Sequence, residues 1–154
     1  MKPKKILTVD DDESIRQTVC MMLELEGFEA VWAKNGQVAL DYLTRIPASE
    51  LPDLVLLDYM MPVMNGKEFY HAKNSNPKLA KIPVVMMTAN GNLVNVMDNV
   101  ESAGGYMSKP MDYETVVKMV KHFLGLDESD PAPVEPTDSS YKSRTAGDGE
   151  IHTA

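Results

Sequence analysis

Short apolar runs alternate along this chain with longer segments of helical periodicity. Runs of four or five uninterrupted apolar residues are typical of parallel strands that are buried on both faces of a sheet. Four runs end in side chains that could carry chemistry, which are Asp10 with Asp11, Asp58, Thr88 and Lys109. Because the carboxyl ends of parallel strands line one crevice of an open sheet, we expect three carboxylates, a hydroxyl and an ammonium group to meet there.

Five strand–helix units follow from this alternation. The predicted strands are 6–9, 28–33, 54–57, 84–87 and 105–107, and the predicted helices are about 12–26, 35–45, 66–75, 92–102 and 113–124. Asp12, Asn35 and Asp112 are suitable N-caps, and Gly27 and Gly125 are suitable helix ends. Short connections and right-handed crossovers then predict an α/β fold, with a five-stranded parallel sheet and helices on both faces.

A change in composition near residue 127 predicts the end of the folded domain. We assign residues 1–126 to one domain and residues 127–154 to a disordered acidic tail rich in Pro and Ser, because the tail has almost nothing to bury. The tail holds seven acidic and two basic residues, so it accounts for −5 of the net charge of −8. An acidic chain without clustered Lys and Arg argues against direct DNA binding.

The chain has no pattern typical of membrane insertion or secretion. No apolar stretch approaches the ~20 residues that span a bilayer, and the basic N-terminus leads within a few residues to Asp10. Cys20 is the single cysteine, which excludes an internal disulfide and a cysteine-based zinc site. We therefore predict a cytoplasmic protein.

The convergence of Asp10, Asp11 and Asp58 would be electrostatically unfavourable without a cation. Two carboxylates ~4 Å apart repel each other by roughly 4 kcal/mol at an effective dielectric constant of about 20. A hard divalent ion resolves this repulsion, and a set of oxygen ligands favours Mg²⁺ over zinc or copper. One carboxylate could then attack phosphorus, while Lys109 and Thr88 bind the phosphoryl oxygens. The expected product is an aspartyl phosphate.

Four motifs in this order resemble the receiver domain of two-component response regulators over about residues 4–125. They are VDDD at 9–12 followed by Arg16, LLDYMMP at 56–62 with NG at 65–66, MTA at 87–89, and GYMSKP at 105–110. The chain is most similar to the stand-alone, chemotaxis-regulator type of this family. The resemblance implies a doubly wound, flavodoxin-like (βα)5 fold.

The resemblance also assigns the acceptor and its cation ligands. Asp58 matches the phosphoacceptor, Asp11 a direct Mg²⁺ ligand and Asp10 a ligand that acts largely through water. The backbone carbonyl of Met60 matches the third protein ligand. Lys109 matches the phosphate-binding lysine, whose bond to the following proline is expected to be cis.

The remaining implied roles concern switching. Thr88 and Tyr106 match a pair in which the hydroxyl moves toward the phosphoryl group and the ring turns inward. The output surface would be the predicted fourth helix, fifth strand and fifth helix, residues 92–124. The resemblance thus implies a single-domain response regulator that accepts a phosphoryl group from a sensor histidine kinase and acts by binding a downstream protein. It would be a monomer or a weak phosphorylation-dependent dimer, and it would catalyse only its own phosphorylation and dephosphorylation.

One other signalling function fits the sequence, and several other classes fit it less well. A phosphorelay intermediate, which passes the phosphoryl group to a histidine phosphotransfer protein, remains the alternative. An aspartyl phosphatase is disfavoured because Met60 stands where such enzymes carry a second acid. A flavin site is disfavoured by the four acidic residues at 10–13, and a Gly-Lys-Ser/Thr nucleotide loop is absent from the sequence. The acidic run could also serve only as a helix N-terminus, but that role leaves Asp58 unexplained.

Overall fold

The five predicted strands form one parallel sheet in the computed structural model, which describes residues 2–89 and 105–126. The strands are β1 (Lys5–Val9), β2 (Glu29–Ala33), β3 (Leu54–Asp58), β4 (Val84–Ala89) and β5 (Gly105–Lys109). Their order across the sheet is β2-β1-β3-β4-β5, and every neighbouring pair is parallel. The predicted fold class is therefore confirmed.

Three helices and one short 3₁₀ turn connect the described strands, and a fourth helix follows β5. They are α1 (Glu13–Leu25), α2 (Gly36–Arg45), the 3₁₀ turn Ala48–Glu50, α3 (Gly66–Asn74) and α4 (Tyr113–Phe123), the last being the fifth helix predicted from the sequence. The helix predicted at 92–102, the tail at 127–154 and part of the expected output surface lie outside the described residues. Within the described ranges, no helix is both long enough and apolar enough to cross a bilayer.

The helices cover both faces of the sheet, and this explains why the strands are apolar throughout. Neighbouring strand residues belong to different core layers: Ile6 packs in the layer under α1 and α4, whereas Leu7 packs in the layer under α2 and α3. Val19 of α1 and Val117 of α4 contribute to the first layer, and Phe69 of α3 contributes to the second. A strand that is buried on both faces is apolar at successive residues and does not alternate between polar and apolar side chains.

Local signals in the sequence set the helix boundaries. The side chains of Asp12, Asn35 and Asp112 each accept a backbone N–H bond in the first turn of the helix that follows, as predicted. At the end of α1, Gly27 has φ of +88° and the Phe28 N–H bonds to the Leu23 carbonyl. This backbone pattern ends the helix and places Phe28 in the turn rather than in β2.

Three strands, β3, β4 and β5, extend at their carboxyl ends beyond the predicted apolar runs. The ladder continues through Asp58 paired with Met87, and through Thr88 paired with Ser108. Backbone hydrogen bonds do not depend on the polarity of the side chain, so a strand need not stop where the apolar run stops. Asp58, Thr88 and Lys109 are therefore held by the sheet itself and not by the loops after it.

Candidate functional site

The first element of the site is the acidic loop after β1. Asp10 is fully buried, and its backbone N–H donates to the Ala33 carbonyl at the end of β2. The Asp12 N–H donates to Oδ1 of Asp10 at 2.9 Å, while the Asp12 side chain caps α1. Asp11, between them, is exposed. The loop thus buries one carboxylate and presents the next to solvent.

Asp58 is the last residue of β3, the central strand of the sheet, and only 4% of it is exposed. Burial, and next the neighbouring Asp10 carboxylate, raise the pKa of Asp58 from 3.8 to about 7. Lys109 and a hydrogen bond from the Met60 backbone oppose this shift without cancelling it. The positive charge near Asp58 is therefore too small to offset its burial and the negative charge of Asp10.

Lys109, the last residue of β5, supplies a cation to this cluster. Its Nζ lies 2.8 Å from Oδ2 of Asp10 and 3.3 Å from Oδ1 of Asp58. Burial lowers the pKa of Lys109, but the two carboxylates outweigh burial and the net shift is upward. The Lys109–Pro110 peptide bond is cis, as the resemblance implied.

The three aspartates come close enough to share one cation. Carboxylate oxygens of Asp10, Asp11 and Asp58 all lie within 4.8 Å of one another. Lys109 provides one positive charge against three carboxylates, and the donors are oxygen atoms, which suit a hard divalent ion such as Mg²⁺. The three aspartates therefore fit the Mg²⁺ ion that the sequence predicted. The part of the Met60 carbonyl as a further ligand remains a prediction.

Thr88 and Tyr106 differ in how they relate to this cluster. Thr88 is fully buried in β4, one residue after the partner of Asp58 in the ladder, and its hydroxyl has no hydrogen-bond partner among the described residues. Buried polar groups without partners are rare in folded proteins, so this hydroxyl is available to a ligand. Tyr106 is half-buried and packs on the core layer under α2 and α3. Its switching role remains a prediction.

Three contacts near the site were not predicted. The Arg16 guanidinium donates to the Asp10 backbone carbonyl and lies over the ring of Trp32, to which no sequence pattern gave a role. Gly66 begins α3 directly against the backbone of Asp58 and Tyr59. Arg16 and Gly66 both belong to motifs that the sequence analysis singled out. Those motifs did not indicate which groups Arg16 would contact, or which backbone atoms would lie against Gly66.

Asp58→Asn is expected to stabilise the cation-free protein. Because the folded-state pKa of Asp58 lies above its unfolded value, stability falls as the pH rises from about 4 to about 7. The amide removes this loss, so the free energy of unfolding should rise by about 2 kcal/mol at pH 8, with little gain at pH 4. Urea unfolding of both proteins in a chelating buffer at the two pH values measures the difference.

Asp41→Asn is the matched control, because Asp41 is an exposed carboxylate on α2 whose remaining oxygen can still accept from Gln37. It should give no pH-dependent gain. Equal stability of wild type and Asp58→Asn at pH 8 would show that Lys109 already neutralises the cluster.

A doubly wound parallel sheet with an acidic cluster and a lysine at its carboxyl edge defines a flavodoxin-like α/β domain with a candidate cation site. Residues 6–121 match the response regulator receiver domain, and the chain belongs to this family. It is a receiver domain of two-component signalling, a class whose members accept phosphoryl groups as signals and are not enzymes in the usual sense.

Relatives of known sequence include two regulators with longer chains. The phosphate regulon transcriptional regulatory protein PhoB of Pseudomonas aeruginosa is 34% identical over 139 residues, which cover 88% of this chain and 58% of PhoB. The DNA-binding response regulator MtrA of Mycolicibacterium smegmatis is 35% identical over 130 residues, 84% of this chain and 54% of MtrA. The chain thus spans little more than half the length of these relatives.

Solved structures of receiver domains share the fold over most of their length. The chemotaxis response regulator CheY4 of Vibrio cholerae is 30% identical, with a TM-score of 0.71, and the match covers 80% of this chain and all of CheY4. A CheY-like receiver domain protein from Methanospirillum hungatei is 29% identical, with a TM-score of 0.67, and the match covers 79% of this chain and 94% of that one.

Proposed function

We propose that Asp58 accepts a phosphoryl group from the phosphohistidine of a sensor histidine kinase, with Mg²⁺ held by Asp10, Asp11 and Asp58. The observation that carries this proposal is the position of the Asp58 carboxylate. It lies at the centre of the sheet edge, within 4.8 Å of oxygens of the other two aspartates, and 3.3 Å from Nζ of Lys109. The carbonyl of Met60 completes the proposed protein ligands.

The residues divide the reaction between them. A carboxylate oxygen of Asp58 attacks phosphorus, the phosphorus–nitrogen bond breaks, and its electron pair returns to the imidazole. When bound, Mg²⁺ neutralises charge on the phosphoryl oxygens. Lys109 leaves its ion pair with Asp58 to bind one phosphoryl oxygen, and the partnerless Thr88 hydroxyl donates to another. The modified site presents acceptor oxygens that the free site lacks.

Output is proposed to follow from these new acceptors. Movement of Thr88 toward the phosphoryl group vacates space beside β5, into which the Tyr106 ring turns, and the surface at 92–124 changes for a downstream protein. Residues 1–126 form the receiver domain in this proposal, with 127–154 as an acidic tail. The net charge of −8 disfavours DNA contact by this chain itself. Output by this receiver domain is therefore proposed to pass through contacts with another protein.

Intact mass spectrometry tests the acceptor. The full chain is incubated with Mg²⁺ and a small acyl phosphate, and wild type should gain one phosphoryl group, whereas Asp58→Asn should gain none. A chelator should prevent the gain, and Asp41→Asn should react like wild type because Asp41 is exposed on α2, apart from the cluster. Equal modification of wild type and Asp58→Asn would place the acceptor elsewhere and overturn the proposal.

A further inference from the structure

Arg16 of α1 turns back to hold the acidic loop that precedes its own helix. Its Nη1 donates to the backbone carbonyl of Asp10 at 3.0 Å, in a buried setting, and only 9% of Arg16 is exposed. A buried guanidinium normally pairs with a carboxylate. Arg16 instead binds a main-chain oxygen beside a cluster of carboxylates, so its position calls for an explanation other than charge pairing.

Trp32 covers the other side of this guanidinium. The Arg16 Cζ lies 4.3 Å from the centroid of the Trp32 ring, which is a cation–π distance. Trp32 belongs to β2, the edge strand beside β1, and 57% of it is exposed, which is unusual for the chain's single tryptophan. The ring loses hydrophobic burial at this position and gains contact with one cation.

The carbonyl that Arg16 binds belongs to the peptide that links Asp10 to Asp11. Because a peptide unit is planar, fixing its oxygen fixes the direction in which the next residue leaves. The Asp10 N–H is already bound by Ala33, and its carboxylate is bound by the Asp12 N–H and Lys109. Arg16 therefore anchors the peptide that sets where the exposed Asp11 carboxylate stands.

We propose that Arg16 and Trp32 are positioning residues for the cation site, with Arg16 fixing the Asp10–Asp11 peptide and Trp32 holding Arg16 in place. This inference rests on the cation site of the proposed function. Groups that orient metal ligands in this way commonly contribute a factor of ~10 or more to metal affinity. Neither residue touches the cation, so the effect passes through Asp10 and Asp11.

The charge of Arg16 makes positioning and electrostatics distinguishable, because they act in opposite directions. A positive charge beside the cluster repels an incoming Mg²⁺, so removing it should tighten binding if charge alone matters. Removing the donor should weaken binding if Arg16 positions the loop. Arg16→Gln removes the charge and shortens the reach to the Asp10 carbonyl, and thus the sign of its effect decides.

Calorimetric titration of the full chain with Mg²⁺ supplies the first readout. Arg16→Gln should weaken Mg²⁺ binding about tenfold. Lys34→Gln is the matched control, since Lys34 is an exposed cation just after β2, and its loss should change affinity by less than about twofold. Binding by Arg16→Gln that equals or exceeds that of wild type would overturn the positioning role.

Trp32→Leu supplies a test that leaves Arg16 in the chain, and it serves alone should Arg16→Gln not fold. It keeps an apolar cover but removes the π face, and it should weaken Mg²⁺ binding by about threefold or more. The double variant should bind no more weakly than Arg16→Gln, because the two residues act in series. Unchanged affinity in Trp32→Leu would overturn the role of the ring.

Fluorescence of Trp32 in wild type gives an independent signature. Binding of Mg²⁺ to Asp10 and Asp11 should alter the emission through Arg16, and Asp11→Asn should abolish the change. Wild type that binds Mg²⁺ without any change in Trp32 emission would contradict the coupling. A wild type that binds no Mg²⁺ would overturn the cation site of the proposed function together with this inference, whereas normal binding with unaffected variants overturns this inference alone.

Discussion

Replacing Lys109 with methionine is expected to lower the free energy of unfolding by about 3 kcal/mol at pH 8, since two buried carboxylates then lose their cation. Asp10 is fully buried and Asp58 is 4% exposed, so solvent cannot take over the role of the ammonium group. The pKa of Asp58 is already raised to about 7 with Lys109 in place, and it rises further without it. The loss should therefore shrink as the pH falls and Asp58 becomes protonated. Urea unfolding at pH 5 and pH 8 in a chelating buffer measures it.

Two further variants separate this effect from the loss of a long side chain. Lys118→Met removes an exposed lysine of α4 and should cost little at either pH. The double variant Lys109→Met with Asp58→Asn should recover most of the loss at pH 8, because Asp10 is then the one carboxylate of the pair that is left without its cation, and it still accepts from the Asp12 N–H. A pH-independent loss in Lys109→Met would mean that packing of its aliphatic chain, and not its charge, holds the site.

The sequence predicted that Asp58 and Lys109 meet at one edge of the sheet, because both follow apolar runs that were predicted as parallel strands. Asp58 follows an uninterrupted apolar run, so its place at the sheet edge could be inferred before its neighbours were known. Lys109 was harder, because β5 is separated from β1 by two strands, and only the parallel order brings its Nζ to the Asp10 carboxylate. The four motifs implied a doubly wound, flavodoxin-like fold through the family resemblance, and the match over residues 6–121 confirms the family.

Other features could not be predicted, because they depend on distances across the fold. The contact between Arg16 and Trp32 joins a helix to an edge strand, and neither residue breaks the local pattern of its element. The extension of β3 and β4 through Asp58 and Thr88 depends on backbone pairing with the neighbouring strand, which side-chain polarity does not report. Hydrophobic periodicity thus predicts where helices and strands lie. It does not predict where strand pairing ends or which long side chains meet between elements.

Taken together, the electrostatics of the free site favour occupation by cations. The fold positions three carboxylates with one ammonium group, keeps two of the carboxylates out of solvent, and raises the pKa of Asp58 as a result. Repulsion between the carboxylates lowers the free energy of unfolding in the absence of a cation. A bound divalent ion relieves this repulsion and thereby stabilises the folded protein. The same excess negative charge accounts for the opposite signs expected for Asp58→Asn and Lys109→Met.

Gly66→Ala is expected to destabilise the protein by about 2–3 kcal/mol and to slow the phosphoryl acceptance that we propose for Asp58. A Cβ at position 66 would lie 2.8 Å from both the Asp58 carbonyl oxygen and the Tyr59 Cα, which are backbone atoms that cannot rotate away. The Gly66 N–H also donates to the Tyr59 carbonyl, so the start of α3 is tied to the strand end that it would push. Relief of the overlap must displace either α3 or the end of β3 that carries the Asp58 carboxylate.

Gly27→Ala is the matched control for this last prediction, because it adds the same methyl group without a clash. Gly27 has φ of +88° and no atom within 4 Å of an added Cβ, so the substitution should cost only about 1 kcal/mol of backbone strain. Gly27 follows the end of α1 at the opposite edge of the sheet from Asp58. The rate at which an acyl phosphate modifies the Gly27→Ala variant should therefore match that of wild type. Urea unfolding and intact mass compare the two variants. Equal destabilisation with equal modification would show that the strand end carrying Asp58 yields to the methyl group, and that close approach of α3 is not what positions the acceptor.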